Sequence, residues 1–398
     1  MKIVQVHNRY KIRGGEWTVF NHEKELLSRE HEVDTIVVDN REKLRSDLDK
    51  AKLIFTTHYN RESRRWVREQ LLQKRPDIMH VHNFFPLLTP SIFDAARDAG
   101  VPSVMTLHNY RLIHPNGYLL HNGKIDERSV TGSAWSCVPD RVYRDSLFQT
   151  AVVAHMIEYH RKKETWKRKV DAFICLTEFA KKKFIEGGLP PDKLKVKPNF
   201  VMDSLKELYG GVPNGNRESF YLFVGRISEE KGIRTLIRAW KKLGASSRFK
   251  LVILGEGPLK SELEHSSRDM ENISWVGVAE RSVVMEYLWK ARALIFPSEW
   301  YEGMPMTILE SFCMGTPVIS SDIGSQKEIV TDHQTGLHFK KGSVESMIEA
   351  ITLMDQKEEL REDLGQAARK EYEMKYTPEV NYGKLLSIYE ELLEGEHN

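Results

Sequence analysis

The stretch EWYEGMPMTILESFCMGTPVIS, residues 299–320, decides how this chain folds. It follows ALIFPS (293–298), a short apolar run that reads as a buried strand. Residues 299–304 then make a loop, and Pro305 suits the first helical position, where its missing N–H costs nothing. The helix PMTILESFCM runs to Gly315, a fitting left-handed cap, and TPVISS reads as the next strand. Strand, loop, helix and strand form the repeating unit of a parallel sheet. The helix start directs unpaired N–H groups and a positive dipole end beyond the sheet, which is an anion site for phosphate oxygens. Glu302 stands just before that start. Glu310 lies about a turn and a half inside, with its side chain leaning back toward the amino terminus. Carboxylates beside a diphosphate would be repelled, so the two acids suit hydroxyl-rich groups on either side of it.

Working outward, the same alternation fills the chain. KIVQVH, VDTIVVD, KLIFTT, DIMHVH, PSVMTLH and DAFICLT read as strands of a first half, and FYLFVG, FKLVILG, ISWVG, ALIFPS and TPVISS as strands of a second. Between LKVKPNF and FYLFVG lies a Gly-, Pro- and Asn-rich stretch, which sets the domain boundary near 200–218. A length of 398 residues is enough for two cores. The expected organisation is a first domain over 1–200, a second over 201–378, and a last helix over 379–398 that packs back across the junction.

In open parallel sheets, ligands bind beyond the carboxyl ends of strands. His7, His58, His82 and His108 fall at or near such ends. His58 and His82 read as histidines satisfied by their neighbours, and His108, in VMTLHNYR, as the functional one. Gly14 and Gly15 in RGGEW permit a tight backbone that can approach a ligand, with Glu16 opening the next helix. Neither a G-x-G-x-x-G nor a G-x-x-x-x-G-K-[ST] motif is present. In YLFVGRISEEKGI, Arg226 follows the strand and Lys231 stands five residues on. A rigid fork of donors and a mobile point charge suit a diphosphate, although in isolation an exposed turn with two solvated cations would read the same way.

Charge divides unevenly. Residues 1–200 hold 35 Lys+Arg against 25 Asp+Glu, and the remainder 24 against 32. The densest basic stretch is HRKKETWKRK (160–169), followed by KKK (181–183), and it reads either as a solvated helix face or as a surface for anionic lipid. Nothing in the pattern suggests a nucleic-acid partner. No apolar run approaches the ~20 residues of a membrane span, and MKIVQVHNRY turns polar too early for a signal peptide. The expected place is therefore cytoplasmic, with a peripheral contact on the inner membrane face. Cys137, Cys175 and Cys313 are widely spaced, without a metal-ligand pattern, as in a reducing compartment.

Taken in order, RGGEWTVF, HVHNFFPLLTP, TLHNYRL, LTEFAKKKFIEGGL, VKPNF, VGRISEEKGI, PSEWYEGMPMTILESF and GTPVISSDIGS resemble bacterial members of the retaining glycosyltransferases of family 4 (group 1). Glu302 and Glu310 match that family's E-x7-E signature. The resemblance implies the GT-B fold, two Rossmann-like parallel-sheet domains facing a central cleft. It implies transfer of a sugar from a nucleotide-diphosphate sugar, such as a UDP- or GDP-sugar, to a glycan or lipid-linked glycan, with retention, no metal and no cofactor. Arg226 and Lys231 would bind the diphosphate, Glu310 the ribose, and Glu302 the sugar, with help from the backbone of Gly303, Met304, Pro305 and Met306. His108 would line the sugar site, the Gly14–Gly15 loop would cover the phosphates, and the base would rest near Gly255 and Val276. A GT-B epimerase or hydrolase and a non-catalytic membrane scaffold are the alternatives. Family members often carry several cysteines after TLHNYR. This chain has His114 and the DER at 126–128 there and keeps only Cys137, so the resemblance brings no metal or disulfide role to that segment.

Overall fold

The computed structural model describes residues 1–10, 15–43, 53–203, 205–212, 217–244 and 250–395. The chain forms two compact units. The first comprises Met1–His121, Asp126–Asn199 and Asn381–Asn398, and the second Asn122–Ile125 and Phe200–Val380.

The first unit is built on β1 (Lys2–Arg9), β2 (Glu32–Asp39), β3 (Ile78–Asn83), β4 (Ser103–Leu107), β5 (Ala172–Cys175) and β6 (Leu194–Val196). They pair in the order β2-β1-β3-β4-β5-β6, all parallel. Every residue of β3, β4 and β5 is buried, as expected of a sheet covered on both faces. Helix α1 (Gly15–Leu27) follows β1, and α2 (Leu147–Lys162) precedes β5. The second unit repeats the plan with β7 (Phe220–Val224), β8 (Lys250–Leu254), β9 (Ile273–Gly277), β10 (Ala293–Phe296), β11 (Val318–Ser321) and β12 (Gly336–Phe339). Their order is β9-β8-β7-β10-β11-β12, again parallel throughout. Helices α3 (Ile233–Leu243), α4 (Arg281–Lys290) and α5 (Met306–Cys313) lie in the connections. The last helix, α6 (Pro378–Gly395), places Leu385, Ile388 and Tyr389 in the first unit's core with Ile3, Ile78, Val104 and Ile174.

Two doubly wound parallel sheets are what the alternating pattern predicts. The differences are local. KLIFTT is not a strand: residues 53–56 are helical, Thr57 bonds back to Leu53, and Phe55 is 76% exposed. A short apolar run does not distinguish strand from helix, and here its central Phe55 is left in solvent. Strand β12, GLHF, is missed because it is short and carries His338 among its apolar residues. Pro305 is the cap residue rather than the first helical one, so α5 begins at Met306.

Candidate functional site

In the second unit the strand order reverses direction between β7 and β10, the switch point where open α/β sheets bind ligands. Gly225 and Arg226 leave the end of β7, and Pro297 and Ser298 the end of β10. Lys231 closes a short 3-10 turn (Glu229–Lys231), and Gly232, at φ +66°, carries the backbone on into α3. A β-carbon on Gly232 would sit 1.9 Å from the Pro297 carbonyl oxygen, so only glycine brings the Lys231 turn this close to β10.

That approach sets Lys231 Nζ 2.6 Å from Glu302 Oε1. The same oxygen accepts from Ser298 Oγ and, at 2.8 Å, from Trp300 Nε1. Glu302 is buried at 6% exposure, and Ser325 Oγ bonds its carbonyl oxygen, which ties the loop to the segment after β11. The ammonium also lies 5.5 Å from the Trp300 ring centre and 5.9 Å from that of Phe296. Arg226 is exposed. The backbone of Gly303, Met304 and Pro305 leads into Met306 and the amino terminus of α5. Within α5, Glu310 Oε1 is 3.3 Å from Arg281 Nε at the start of α4, and burial outweighs that cation and raises the Glu310 carboxyl. Beyond β8, Gly255 at φ +146° runs against Gly225: a β-carbon there would meet the Gly225 oxygen at 1.8 Å. Val276, in β9, is 41% exposed. Arg226, Lys231, Glu302, Gly303, Met304, Pro305, Met306 and Glu310 thus all lie on the loops and helix starts of one unit.

The first unit holds a different cluster. Glu23 of α1 is fully buried against Lys197 Nζ, which also donates to Asn381 Oδ1 of α6 at 3.1 Å. Glu23 Oε2 is 3.4 Å from His82 Nε2, and His82 Nδ1 is 3.1 Å from His108 Nε2. His80 bonds Tyr389 OH and Thr106 Oγ1, each at 2.7 Å. Burial lowers all three histidines, His108 to about 4, so they are neutral at pH 7. Burial alone would raise Glu23, but Lys197 beside it holds the carboxyl low. A cavity lined by Tyr10, His82, Asn83, Phe85, His108 and Arg111 opens here. Arg111 stacks 4.4 Å over Phe85 and bonds the Pro115 carbonyl at 2.8 Å. Glu16 accepts from Asn83 at 3.1 Å, and burial pushes it up to about 7 against the pull of Arg111. Gly15 opens α1, while Gly14 and the DLD at 47–49, which reads as a charged surface stretch and not a metal-binding D-x-D, lie outside the described residues.

Sequence reasoning did not single out Ser298, Trp300, Arg281, Arg111 or the Glu23–Lys197 pair. Only Arg111 had a local signal, three residues after His108 in HNYR.

Phosphate-suited cations at a switch point, repeated parallel sheets and a buried acid before a helix start together define a class. Residues 12–204 match the family described as Glycosyltransferase Family 4, and residues 212–371 that described as Glycosyl transferases group 1. A glycosyltransferase from Rickettsia africae ESF-5 shares the fold at a TM-score of 0.68, with 18% identity over 98% of both chains. Anabaena HepE, solved in complex with UDP-glucose, does so at 0.64, with 15% identity over 100% of this chain and 99% of that one. The architecture is GT-B. The chain belongs to the glycosyltransferases of family 4, group 1. The O-antigen chain mannosyltransferase C of Escherichia coli is 27% identical over 183 residues, 45% of this chain and 48% of that protein. Matches to the first curated relatives span 48 to 66% of their lengths. Among the described residues, no helix is long and apolar enough to cross a membrane.

Proposed function

We propose that the chain is a retaining glycosyltransferase moving a sugar from a nucleotide-diphosphate sugar, such as a UDP- or GDP-sugar, to a hydroxyl of a glycan or lipid-linked glycan in cell-surface polysaccharide synthesis. The observation that carries this reading is Lys231 held on Glu302 at the switch point, with Arg226 at the end of the adjacent strand and the amino terminus of α5 beyond. Cleaving the sugar–nucleotide bond develops negative charge on the β-phosphate, and two cations with a helix start offset it without a metal. In this reading Glu310 accepts from the ribose hydroxyls, Glu302 and the backbone of residues 303–306 hold the sugar, and the base rests by Gly255 and Val276. His108, neutral at pH 7, would meet a substrate as a hydrogen-bonding group rather than as a cation. Three donors already engage Glu302 Oε1, which disfavours it as a covalent nucleophile. By analogy with the family, the acceptor attacks on the front face and the departing phosphate takes its proton. The E. coli relative's role in O-antigen chains and the UDP-glucose in the Anabaena complex support the substrate classes.

Incubation with a panel of nucleotide sugars and candidate acceptors is expected to release nucleoside diphosphate, to give a product of unchanged anomeric configuration by NMR, and to run at one rate with or without Mg²⁺ or Mn²⁺. An inverted product, or a rate that depends on those ions, overturns the mechanism. Diphosphate release that ignores every acceptor turns the reading toward a hydrolase or epimerase.

The proposal includes contact of the cytoplasmic protein with an anionic membrane surface. In the basic stretch Arg168 pairs with Glu164, Lys169 with Asp94, and Lys183 with Glu127 and Glu186, while Lys162, Lys163 and Lys167 are exposed. Each exposed lysine contributes about 1 kcal/mol near anionic lipid. Sedimentation with phosphatidylserine vesicles at low salt should therefore disappear in Lys162→Glu/Lys163→Glu/Lys167→Glu. A wild type that stays in the supernatant would mark the stretch as a solvated face.

A further inference from the structure

The segment after His108 gathers three Lewis-basic side chains that the proposed reaction does not use. His114, Asp126 and Cys137 are buried at 0, 7 and 0% exposure, and their ligand atoms all lie within 4.8 Å of one another. His114 Nε2 is 3.7 Å from Asp126 Oδ2 and 3.9 Å from Cys137 Sγ. Asp126 Oδ2 has no hydrogen-bond partner.

The tautomer of His114 follows from its neighbours. Asn116 Nδ2 donates to the Leu120 carbonyl, and Asn116 Oδ1 accepts from the Tyr118 N–H at 2.8 Å, so the amide orientation is set. The Oδ1 atom, 2.7 Å from His114 Nδ1, must therefore accept from it. With the Nδ1 proton engaged by Asn116, Nε2 lies 3.7 Å from Asp126 Oδ2 and 3.9 Å from the Cys137 sulfur. The Cys137 thiol donates to Nε2 at 3.9 Å, which leaves Asp126 Oδ2 facing that ring without a donor; a cation in place of the thiol proton would engage all three atoms. At 3.7 Å the rival arrangement, a doubly protonated imidazole bonded to Asp126, is too long for a charge-assisted hydrogen bond.

We propose that His114 Nε2, Asp126 Oδ2 and the Cys137 sulfur bind a zinc ion, with water in the fourth position. The thiol proton leaves to solvent as the metal–sulfur bond forms. Tetrahedral zinc with bonds of about 2.0–2.3 Å separates its ligand atoms by roughly 3.3–3.6 Å, close to the 3.7 and 3.9 Å that His114 Nε2 keeps from Asp126 Oδ2 and Cys137 Sγ. A mixed nitrogen, oxygen and sulfur set favours zinc over magnesium or calcium. The outer contacts are of the kind metal ligands carry: Asn116 holds the far nitrogen of His114, and Arg128 Nε holds Asp126 Oδ1 at 2.9 Å. Burial, and then the charge of Asp126, push the Cys137 thiol up, and a dication reverses this. The buried Glu23, His80 and His82 also converge, but the Lys197 ammonium already occupies that place. The role assigned to the ion is to pin the segment from 109 to 137, which carries Arg111 into the first unit's cavity.

Metal analysis of the purified full-length chain is expected to find about one zinc per chain. The content should fall to a small fraction of that in Cys137→Ala, His114→Gln and Asp126→Asn. Chelator treatment of the wild type should lower its Tm by several degrees, restored by added zinc. Should the variants fold poorly, Co²⁺ added to the stripped wild type reports directly, through a thiolate-to-cobalt absorption band. Zinc content unchanged by all three substitutions, or no thiolate band from stoichiometric Co²⁺, overturns the proposal.

Discussion

Lys231→Ala is expected to lower kcat/KM by about 30- to 1,000-fold, a loss on the order of 2 to 4 kcal/mol of transition-state stabilisation. Two effects act together. In the proposed reaction the cation that offsets growing charge on the leaving phosphate is gone, and Glu302, 6% exposed, keeps the neutral donors Ser298 and Trp300 on its Oε1. Its charge then repels the diphosphate that Lys231 had neutralised. Arg226→Ala should act in the same direction and less strongly, because Arg226 is exposed and water screens its charge. Lys231→Ala combined with Glu302→Gln removes the repulsion and should recover donor affinity without recovering turnover. Steady-state kinetics with the preferred donor, alongside circular dichroism to show an intact fold, measure this. Wild-type kinetics in Lys231→Ala would take that residue out of the site.

Lys197→Met is expected to destabilise the first unit by about 3 to 5 kcal/mol, the cost of leaving one partner of a buried pair uncompensated. Lys197 and Glu23 are each fully buried, and Asn381 of α6 completes the arrangement, so the substitution loosens both a strand end and the last helix. Lys197→Met with Glu23→Leu should restore much of the loss, since both charges then leave the core together. Urea titrations of the three proteins decide it, and a single substitution with an unchanged midpoint would refute the pair's role. Acid should attack the same unit. His108 and His160 are lowered from 6.5 to about 4, chiefly by burial, so the unfolded chain takes up protons that the folded chain refuses. Their contribution is complete above pH 6.5 and is lost as pH falls toward 4, with about 2 kcal/mol gone per histidine by pH 5. His80 and His82, lowered further, add in the same sense. Glu16, raised to about 7, works the other way, since its protonated folded form gains stability as pH falls. The histidines outnumber it, so melts should show a lower Tm at about pH 5 than at about pH 7.5.

The reading of residues 293–320 depends on neighbours along the chain. An apolar run, a proline before a helix, a glycine after it and acids at a helical spacing are local features, and local propensity acts wherever the segment ends up. The parallel alternation, the switch-point cations and the E-x7-E spacing were legible for that reason. KLIFTT failed because an apolar run this short fits a helical turn as well as a strand, and β12 because strand pairing, not composition, makes it a strand.

What only the tertiary structure decided is which distant groups meet. Lys197 and Glu23 stand 174 residues apart, and no spacing rule joins them. Arg281 reaches Glu310 from another helix, and Ser298 and Trp300 converge on Glu302 through the path of one loop. Cys137, solitary by spacing, comes to lie beside His114 and Asp126 because an irregular segment folds back on itself. A buried charge or ligand needs its partner within a few ångströms, and chain reversals supply that proximity. By itself the sequence determined the repeating strand and helix plan and the residue types carried to each strand end. Packing determined which charges were paired, which were left facing one another, and therefore where the chain can hold an ion.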